Sequence, residues 1–465
     1  MNRIKNELNA LVNRGVDRHL RLAVTGLSRS GKTAFITAMV NQLLGIHTGA
    51  RLPMLSAARE ERLLGVKRVP QRDLGIQRFT YDEGLAQLYG TPPAWPTPTR
   101  GVSEMRLALR YRSNDSLLRH FKDTSTLYLE IVDYPGEWLL DLPMLAQDYL
   151  SWSRQMTGLL QGQRAEWSAE WRRLCEGLDP LAPADENRLA AIAEAWTDYL
   201  VRCKKEGLHF IQPGRFVLPG DMAGAPALQF FPWPDVDGFG ESRLAQADKG
   251  SNLGMLRARF DYYCEKVVKG FYKNHFLRFD RQIVLVDCLQ PLNSGPQAFN
   301  DMRLALTQLM QSFHYGQRTL FRRLFSPVID KLLFAATKAD HVTVDQHANM
   351  VSLLQQLVQD AWQNAAFEGI SMDCMGLASV QATQSGMVEV QGEQIPALRG
   401  NRLSDGAPLT VYPGEVPSRL PGNAFWQNQG FQFEQFRPQV MDVDRPLPHI
   451  RLDAALEFLI GDKLR

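Results

Sequence analysis

The segment at residues 26–33 has the residue types and spacing needed to hold a polyphosphate. It reads Gly-Leu-Ser-Arg-Ser-Gly-Lys-Thr and matches G-x-x-x-x-G-K-[ST], the pattern of a phosphate-binding loop. We expect Gly26 and Gly31 to take up positive φ and to turn backbone N–H groups towards the phosphates. Lys32 is expected to reach the β/γ oxygens, and Thr33 to offer its hydroxyl to Mg²⁺. The other residues expected to contact the nucleotide here are Ser28, Arg29, Ser30 and Ala34.

The segments on either side of this loop agree with that interpretation. Residues 20–25 have the apolar character of a short strand, residues 34–44 have the periodicity of a helix, and Gly45 is a suitable stop. A helix that begins at a phosphate-binding loop adds the positive end of its dipole to the site. The alternative is a glycine-rich turn before a helix that binds no ligand. The strand–loop–helix setting favours a nucleoside triphosphate site.

A second segment, Asp133-Tyr-Pro-Gly136, directly follows a nearly continuous apolar strand at 126–132. A carboxylate at that strand end can hold Mg²⁺, usually through water. Gly136 has no side chain, so its backbone N–H can approach a γ-phosphate. The alternative is an ordinary turn, which the core strand before it disfavours. Asp133 and Gly136 are therefore predicted to sense a Mg²⁺-bound triphosphate.

A third segment, Thr-Lys-Ala-Asp, follows a predicted strand at 331–336 and ends in Asp340. The Asp340 carboxylate could pair bidentately with the N1–H and N2 amino groups of guanine, whereas adenine has no such pair of donors. The aliphatic stem of Lys338 can lie along the base plane. The backbone near Ser379 and Val380 could reach the base O6, although a plain strand end explains that segment equally well. These residues predict guanine nucleotides as ligands; the alternative is a surface Lys-x-Asp pair.

Strands alternate with helices in both halves of the chain. This pattern predicts an α/β fold of the P-loop NTPase class, with a mostly parallel sheet and helices on both faces. Further strands are predicted at 103–111, 282–287 and 376–380, and further helices at 296–313 and 341–366. Three long helical patterns interrupt the alternation, at 144–174, 186–205 and 255–276. We therefore predict three parts: 1–143 with an insertion at 46–98, a helical insertion at 144–280, and 281–465 with a β-hairpin excursion at 386–413.

The composition is that of a globular protein without a strong charge bias. Of 465 residues, 45% are hydrophobic and 22% charged, and a net charge of +2 gives no general case for nucleic acid binding. The five cysteines are scattered and never in C-x-x-C spacing, which argues for reduced thiols and against a disulfide frame or a zinc site. No apolar run long enough to span a membrane and no signal peptide is recognised. The expected location is the cytoplasm.

Basic residues outnumber acidic ones between positions 51 and 80. One interpretation of this excess is a solvated helix face. The other is a docking patch for an anionic partner or for the surface of the inner membrane, which would place the protein at the membrane periphery. The cations concerned are Arg51, Arg59, Arg62, Lys67, Arg68, Arg72 and Arg78.

In chain order these segments resemble the guanine-binding motifs of the Ras-like, translation-factor-class GTPases. More closely, the chain resembles the YcjX family of bacterial stress-associated P-loop proteins. The features that carry this resemblance are the string Asp133-Tyr-Pro-Gly-Glu-Trp138, the helical insertion after it and the Thr-Lys-Ala-Asp segment. The resemblance extends over most of the chain. It implies GTP/GDP binding with Mg²⁺ in the cytoplasm and a role in stress.

The resemblance also implies a switch threonine that coordinates Mg²⁺ just before the second strand. Thr99 is the first candidate and Thr97 the second, and a loop threonine without that role is the alternative. Ras-like proteins carry a glutamine after D-x-x-G that orients the attacking water. This chain has Glu137 there, so we expect slow hydrolysis. The asparagine that normally opens the base-reading motif is Thr337, which weakens the case for strict guanine selectivity.

Three functions fit these segments. The first is a slow, Mg²⁺-dependent GTPase switch in which the nucleotide state orders Thr99 and the loop at 133–138 for an unidentified protein partner. Lys32, Thr99 and Glu137 would then act in hydrolysis. The second is an ATP-dependent ATPase or kinase that uses the same loop. The third is an adaptor in which the nucleotide is only structural, and in which the segments 51–80 and 144–280 carry the function.

Overall fold

The computed structural model describes residues 18–114, 123–314, 329–367, 369–427 and 431–465. The chain divides into two units, which we call the sheet unit and the helical unit. The sheet unit consists of Met1–Tyr134, Phe279–Pro296 and Pro327–Arg465. The helical unit consists of Pro135–Arg278 and Gln297–Ser326. The helical unit overlaps most of the predicted insertion at 144–280, but it begins earlier and also takes in a segment after Pro296.

An eight-stranded sheet forms the framework of the sheet unit. Its strands are β1 Arg18–Gly26, β2 Leu63–Val69, β3 Gln77–Arg78, β4 Ser103–Arg112, β5 Thr124–Asp133, β6 Arg281–Val286, β7 Lys331–Ala336 and β8 Ser371–Gly376. The strand order is β2-β4-β5-β1-β6-β7-β8, and β3 pairs with β4. The five strands from β5 to β8 in this order are parallel, and β4 runs antiparallel to both β5 and β2. The predicted α/β fold with a mostly parallel sheet is confirmed.

The central strands are buried on both faces. Every residue of β6 is buried, and Leu22, Ala23 and Val24 of β1 are inaccessible to solvent. Such continuous apolar runs are typical of parallel strands that are covered on both sides. The helices of the sheet unit are Lys32–Leu44, Ser56–Arg59, Tyr81–Leu88, Leu289–Ser294, His347–Leu357, Gln359–Phe367, Asn423–Gln427 and Leu452–Ile460. The helix Pro296–His314 begins at the last residue of the segment Phe279–Pro296, and the rest of it belongs to the helical unit. Short 3₁₀ turns lie at Ala339–His341, Val344–Gln346 and Gly461–Leu464.

The parallel strands end along one edge of this sheet. The last residues there are Gly26 of β1, Asp133 of β5, Val286 of β6, Ala336 of β7 and Gly376 of β8. In an open α/β sheet, ligands bind outside the carboxyl ends of the strands. Most of the predicted nucleotide-binding segments begin at this edge.

Some predicted elements differ from the structure. The strand predicted at 376–380 is wrong, because β8 already ends at Gly376 and the residues after it form a loop. The single helix predicted at 341–366 is also wrong. Two short 3₁₀ turns come first, and two helices follow that meet near Val358, since the C-cap conformation at that residue is not helical.

The hairpin predicted at 386–413 is a three-stranded antiparallel sheet. Its strands are β9 Gln384–Val390, β10 Glu393–Asn401 and β11 Pro408–Val411. The extra turn between β10 and β11 contains Gly406 at φ +74°, and the Asp405 carboxylate accepts a hydrogen bond from the Ala407 N–H at 3.0 Å. Short polar residues of this kind close turns locally, so a third strand could form where the sequence indicated two.

The helical unit is packed around large aromatic side chains. The fully buried ones include Trp152, Trp171, Trp196 and Trp233. The helix predicted at 144–174 is wrong, because Gly162 at φ +53° separates it into shorter helices. The helices of this unit are Gly136–Leu139, Tyr149–Gly158, Gln163–Trp167, Ala169–Cys175, Glu186–Lys205, Gly214–Val217, Val236–Phe239, Glu241–Leu244, Asn252–Tyr262 and Lys269–Asn274, with a π-helical stretch at Tyr263–Val268. Within the described part of the chain, no helix is both long and apolar enough to cross a membrane.

Candidate nucleotide site

The phosphate-binding loop follows β1 and depends on two glycines for different reasons. A Cβ on Gly26 would lie 2.3 Å from the Ser30 Oγ and 2.7 Å from the Leu285 carbonyl oxygen, so only glycine fits there. The expectation of positive φ at Gly26 is wrong. Gly31, at φ +83°, does have the left-handed conformation, and so does Arg29, at φ +63°. The loop therefore turns at Arg29 and Gly31 while Gly26 allows close packing.

The helix Lys32–Leu44 presents its N-terminus at this loop. Gly31 is the N-cap, no described side chain caps the helix, and its first turn contains no acidic residue. The unpaired N–H groups and the positive end of the helix dipole make such an N-terminus an anion site. Lys32 is half-buried and Thr33 is buried, so both stand at the start of the helix within reach of a bound phosphate.

Asp133 and Thr99 meet at the end of β5. The Thr99 hydroxyl donates a short hydrogen bond to Asp133 Oδ2, while Asp133 Oδ1 is buried and has no hydrogen-bond partner among the described residues. Burial raises the pKa of Asp133 above its ordinary value, against the opposing effects of Lys32 and Thr99. Thr97 instead exchanges hydrogen bonds of 2.8 and 2.9 Å with the side chain of Gln87. Thr99, and not Thr97, therefore stands beside the carboxylate.

This arrangement fits a hard cation such as Mg²⁺. The orphaned oxygen of Asp133 and the hydroxyls of Thr33 and Thr99 are oxygen donors of the kind that Mg²⁺ prefers. Mg²⁺ usually keeps several waters and takes further oxygens from phosphate. No cluster of three or more His, Cys, Asp or Glu side chains suited to a metal occurs among the described residues, and a Mg²⁺ ion held partly by phosphate does not need one.

Asp340 is buried in the turn after β7, and each of its carboxylate oxygens has one partner. Oδ1 lies 3.0 Å from His341 Nδ1, and Oδ2 accepts a hydrogen bond of 2.7 Å from the Ala382 N–H. Its own backbone carbonyl accepts a short hydrogen bond from the Thr383 hydroxyl. Burial alone would raise the pKa of Asp340, but His341 and the N–H donor hold it below its usual value. The carboxylate is therefore charged and firmly oriented.

Lys338 occupies an unusual position in the same turn. Its backbone is left-handed, at φ +62°, and its Nζ lies 2.6 Å from Oδ2 of the buried Asp287. Thr337 is buried, and its N–H donates to the Val286 carbonyl at 2.9 Å, which joins this turn to the end of β6. The sequence motif around Lys338 did not indicate this ion pair with Asp287.

The loop after β8 lies beside this turn. Ala378 exchanges two backbone hydrogen bonds with Ile450, of 3.0 and 2.8 Å, which hold the loop in place. Ser379 is half-buried and Val380 is buried. Both line the same cavity as Asp340.

One cavity of about 280 Å³ in the sheet unit connects the phosphate-binding loop with the Thr337–Asp340 turn. The residues that were predicted to bind the nucleotide and that line this cavity are Arg29, Ser30, Gly31, Lys32, Thr33, Ala34, Thr337, Lys338, Asp340, Ser379 and Val380. Segments far apart in sequence thus lie around a single space. Its polar groups are a helix N-terminus and a lysine at one end and a buried carboxylate at the other, an arrangement suited to a ligand with a polyphosphate and a hydrogen-bonding base.

A further group of residues that lines this cavity was not predicted. It consists of Trp95, Pro96, Pro98, Leu403, Gln435 and Phe436. The Trp95 indole N–H donates to the Phe436 carbonyl at 2.8 Å, and the Phe436 ring lies edge-on to His341 with centroids 5.3 Å apart. The only sequence signal was Trp95 within the proline-rich run before Thr99, since a loop that carries a tryptophan is usually ordered by packing.

Gly136 and Glu137 belong to the helical unit. Gly136 opens the short helix Gly136–Leu139, and Glu137 is buried. The Glu137 carboxylate lies 2.8 Å from the Nζ of Lys204. Its charge is therefore balanced within that unit. A Cβ on Gly214 would lie 2.2 Å from the Glu137 carbonyl oxygen, so the backbone here is closely packed.

Several cations of the segment 51–80 already have acidic partners. Arg62 is buried and bonds Glu60 at 2.7 Å, and Arg68 bonds Asp82 at 2.8 Å. Arg72 lies 3.7 Å from Glu130. The excess of positive charge in the sequence is therefore partly neutralised in the fold, so it makes a weaker docking patch for an anionic partner than the sequence indicated.

Comparison with known proteins adds to these observations. A family model described as the YcjX-like family, DUF463, matches residues 20–464. The chain is 90% identical, over the whole of both chains, to a protein of Escherichia coli (strain K12) that carries the name Ras-like GTPase YcjX. It is 46% identical to a protein of the same name from Shewanella oneidensis, over all of this chain and 98% of that one.

Proposed function

Because this chain belongs to the YcjX-like family, we propose that it binds GTP and GDP with Mg²⁺ and acts as a slow GTPase switch. The observation that carries the proposal is the single cavity that places the phosphate-binding loop and Asp340 around one space. The names of the two relatives, each a Ras-like GTPase, support the choice of guanine nucleotide. Adenine has no adjacent pair of donors for the two oxygens of this carboxylate, so the site suits guanine better than adenine.

The residues predicted at the phosphate-binding end have separate roles in this proposal. The backbone of the loop, including Ser28 and Ser30, and the Lys32 ammonium bind the β/γ-phosphates, and Arg29 and Ala34 contribute at the rim of the loop. Thr33 and Thr99 would hold Mg²⁺ through their hydroxyls, and Asp133 would contribute its carboxylate. When bound, Mg²⁺ neutralises charge that develops on the phosphate oxygens.

Guanine is bound at the other end of the cavity. The Asp340 carboxylate accepts from the N1–H and N2 amino groups, and the Lys338 stem lies along the base. Thr337 fixes the turn, and the backbone at Ser379 and Val380 faces O6. The contact of Asp340 with His341 Nδ1 and the hydrogen bond from the Ala382 N–H hold the carboxylate before any ligand binds, which reduces the entropy lost on binding.

The hydrolysis step is slow in this proposal because of Glu137. It stands where Ras-like proteins place the glutamine that orients water, and its carboxylate is engaged by Lys204 at 2.8 Å. Glu137 can still accept a hydrogen bond from a water, but an amide side chain could both donate and accept. Lys32 and Thr99 stabilise the charge that develops.

The switch acts on a partner protein in the cytoplasm, and its association with stress is proposed from the family resemblance. Nucleotide state would change the order of Thr99 and of the loop at 133–138, as γ-phosphate contacts do in other switches. A location at the periphery of the inner membrane through residues 51–80 is the less supported form of this proposal, since several of those cations are paired within the fold.

Calorimetric titration of the purified protein with GTP, GDP and ATP tests this function. Micromolar GTP and GDP affinities that depend on Mg²⁺, with much weaker ATP binding, are expected. Lys32→Ala should abolish the heat of binding while leaving the thermal unfolding temperature nearly unchanged. Equal affinity for ATP would favour an ATP-dependent enzyme. Identical partners captured in the GTP-analogue and GDP states would favour an adaptor.

A further inference from the structure

Asp287 is a buried carboxylate that the proposed function leaves without a role. It follows β6 directly and is 1% exposed. Its Oδ1 accepts hydrogen bonds of 3.0 and 3.2 Å from the N–H groups of Leu289 and Gln290, at the start of a helix, and its Oδ2 takes the Lys338 ammonium. Burial alone would raise the pKa of Asp287, but Lys338 and these donors hold it below its usual value. The pair is therefore ionic.

Asp340 has few free acceptor positions, so the location of the Lys338 ammonium affects how the base can bind. A carboxylate offers about four lone-pair positions. His341 occupies one on Oδ1 and the Ala382 N–H occupies one on Oδ2. One position therefore remains on each oxygen, which matches the two donors on the guanine edge. A third donor from the protein would displace one of the two bonds to the base.

Lys338 is the cation placed to become that third donor. It lies two residues before Asp340 in the same tight turn, and both residues line the cavity. Its left-handed backbone and the bond to Asp287 direct the ammonium to the end of β6. The side chain of Lys338 is about one-quarter exposed, so the ammonium would have room to move if its partner lost its charge.

We propose that Asp287 is a positioning residue for guanine selectivity: it binds the Lys338 ammonium and thereby keeps both free acceptor positions of Asp340 available to the base. The inference rests on the proposed guanine site and deepens it. Specificity of this kind comes from preventing a competing interaction as much as from making the correct one. A purely structural ion pair would instead affect folding and all nucleotides alike.

Asp287→Asn tests the inference, because asparagine keeps an oxygen that can accept from Leu289 and Gln290. Titration with GDP and ADP, both with Mg²⁺, should show the GDP preference over ADP fall about tenfold, equivalent to about 1.4 kcal/mol, through weaker GDP binding. In the double variant D287N/K338M, which keeps an unbranched apolar stem but no ammonium, the preference should return to within about threefold of the unmodified protein.

Controls separate this inference from the function on which it rests. Asp148→Asn removes a helix-capping carboxylate that accepts from Ser151 at 2.7 Å in the helical unit, and it should leave the preference unchanged. An unaltered preference in D287N, an equal loss for GDP and ADP, or a double variant no better than D287N would overturn the role of Asp287 alone. If the unmodified protein bound no GDP, or bound ADP equally well, the proposed function and this inference would both fail.

Discussion

Replacing Asp340 with asparagine should convert the base end of the cavity from a guanine site to a site for a different base. The structure suggests that the fold accepts the change. The asparagine Oδ1 can take the Ala382 N–H, and its Nδ2 can donate to His341 Nδ1, provided that His341 carries its proton on Nε2. The variant therefore loses the charge and one acceptor without leaving a buried donor unpaired.

The expected loss of GDP affinity follows from the hydrogen bonds to the base. A hydrogen bond to a charged group is worth about 1.5–3 kcal/mol. The variant loses one such bond outright and weakens the other, because the remaining acceptor is neutral. A total of about 3 kcal/mol corresponds to an affinity for GDP about 100-fold lower. ADP does not use this carboxylate as an acceptor pair, so its affinity should change little.

The assay compares GDP, ADP and xanthosine diphosphate by calorimetry with Mg²⁺. Xanthine carries a carbonyl oxygen where guanine carries its amino group, so the new amide N–H₂ of Asp340→Asn should donate to it. We expect xanthosine diphosphate to bind the variant better than GDP does. Unchanged GDP affinity, in a variant whose thermal unfolding matches that of the unmodified protein, would refute the assignment of Asp340 to the base.

Two further predictions concern the switch and the helical unit. Thr99→Ala should weaken the Mg²⁺-dependent binding of a GTP analogue about tenfold relative to GDP, because the Thr99 hydroxyl bonds Asp133. Thr97→Ala is the control and should not weaken it, because the Thr97 hydroxyl bonds Gln87 instead. Titrations with and without Mg²⁺ measure both variants, and equal effects would contradict the choice of Thr99. Burial raises the pKa of Asp141 from 3.8 to about 7, so the folded carboxyl keeps a proton that the unfolded chain releases. The stability that this group contributes is present below pH 3.8 and is lost as pH rises towards 7. Asp141→Asn should remove that pH dependence, and parallel curves of unfolding temperature against pH for the two proteins would count against it.

The parts of the site that follow directly from a strand end could be predicted from sequence. The phosphate-binding loop, Asp133 and Asp340 each come after a short apolar run, and the parallel sheet places these ends along one edge. Prediction from local sequence fails where the backbone conformation depends on packing against distant residues. Gly26 was expected at positive φ, yet contact with Ser30 and Leu285 explains that glycine, and the left-handed position is taken by Arg29.

Long-range partners could not be predicted because nothing local marks them. Lys338 and Asp287 are separated by many residues, and only the register of β6 with β7 brings them together. Phe436 reaches the cavity through an irregular segment that has no periodic pattern. The helices of the region 144–174 were overestimated in length, since the break at Gly162 requires a φ that a periodicity argument does not consider.

A crystal structure of the protein with a non-hydrolysable GTP analogue and Mg²⁺ tests the central claim most directly. We expect phosphates at the N-terminus of the helix Lys32–Leu44, Mg²⁺ bound to the hydroxyls of Thr33 and Thr99, and the guanine N1–H and N2 amino groups on the Asp340 carboxylate. A base bound away from Asp340, or phosphates outside the loop at 26–33, would contradict it.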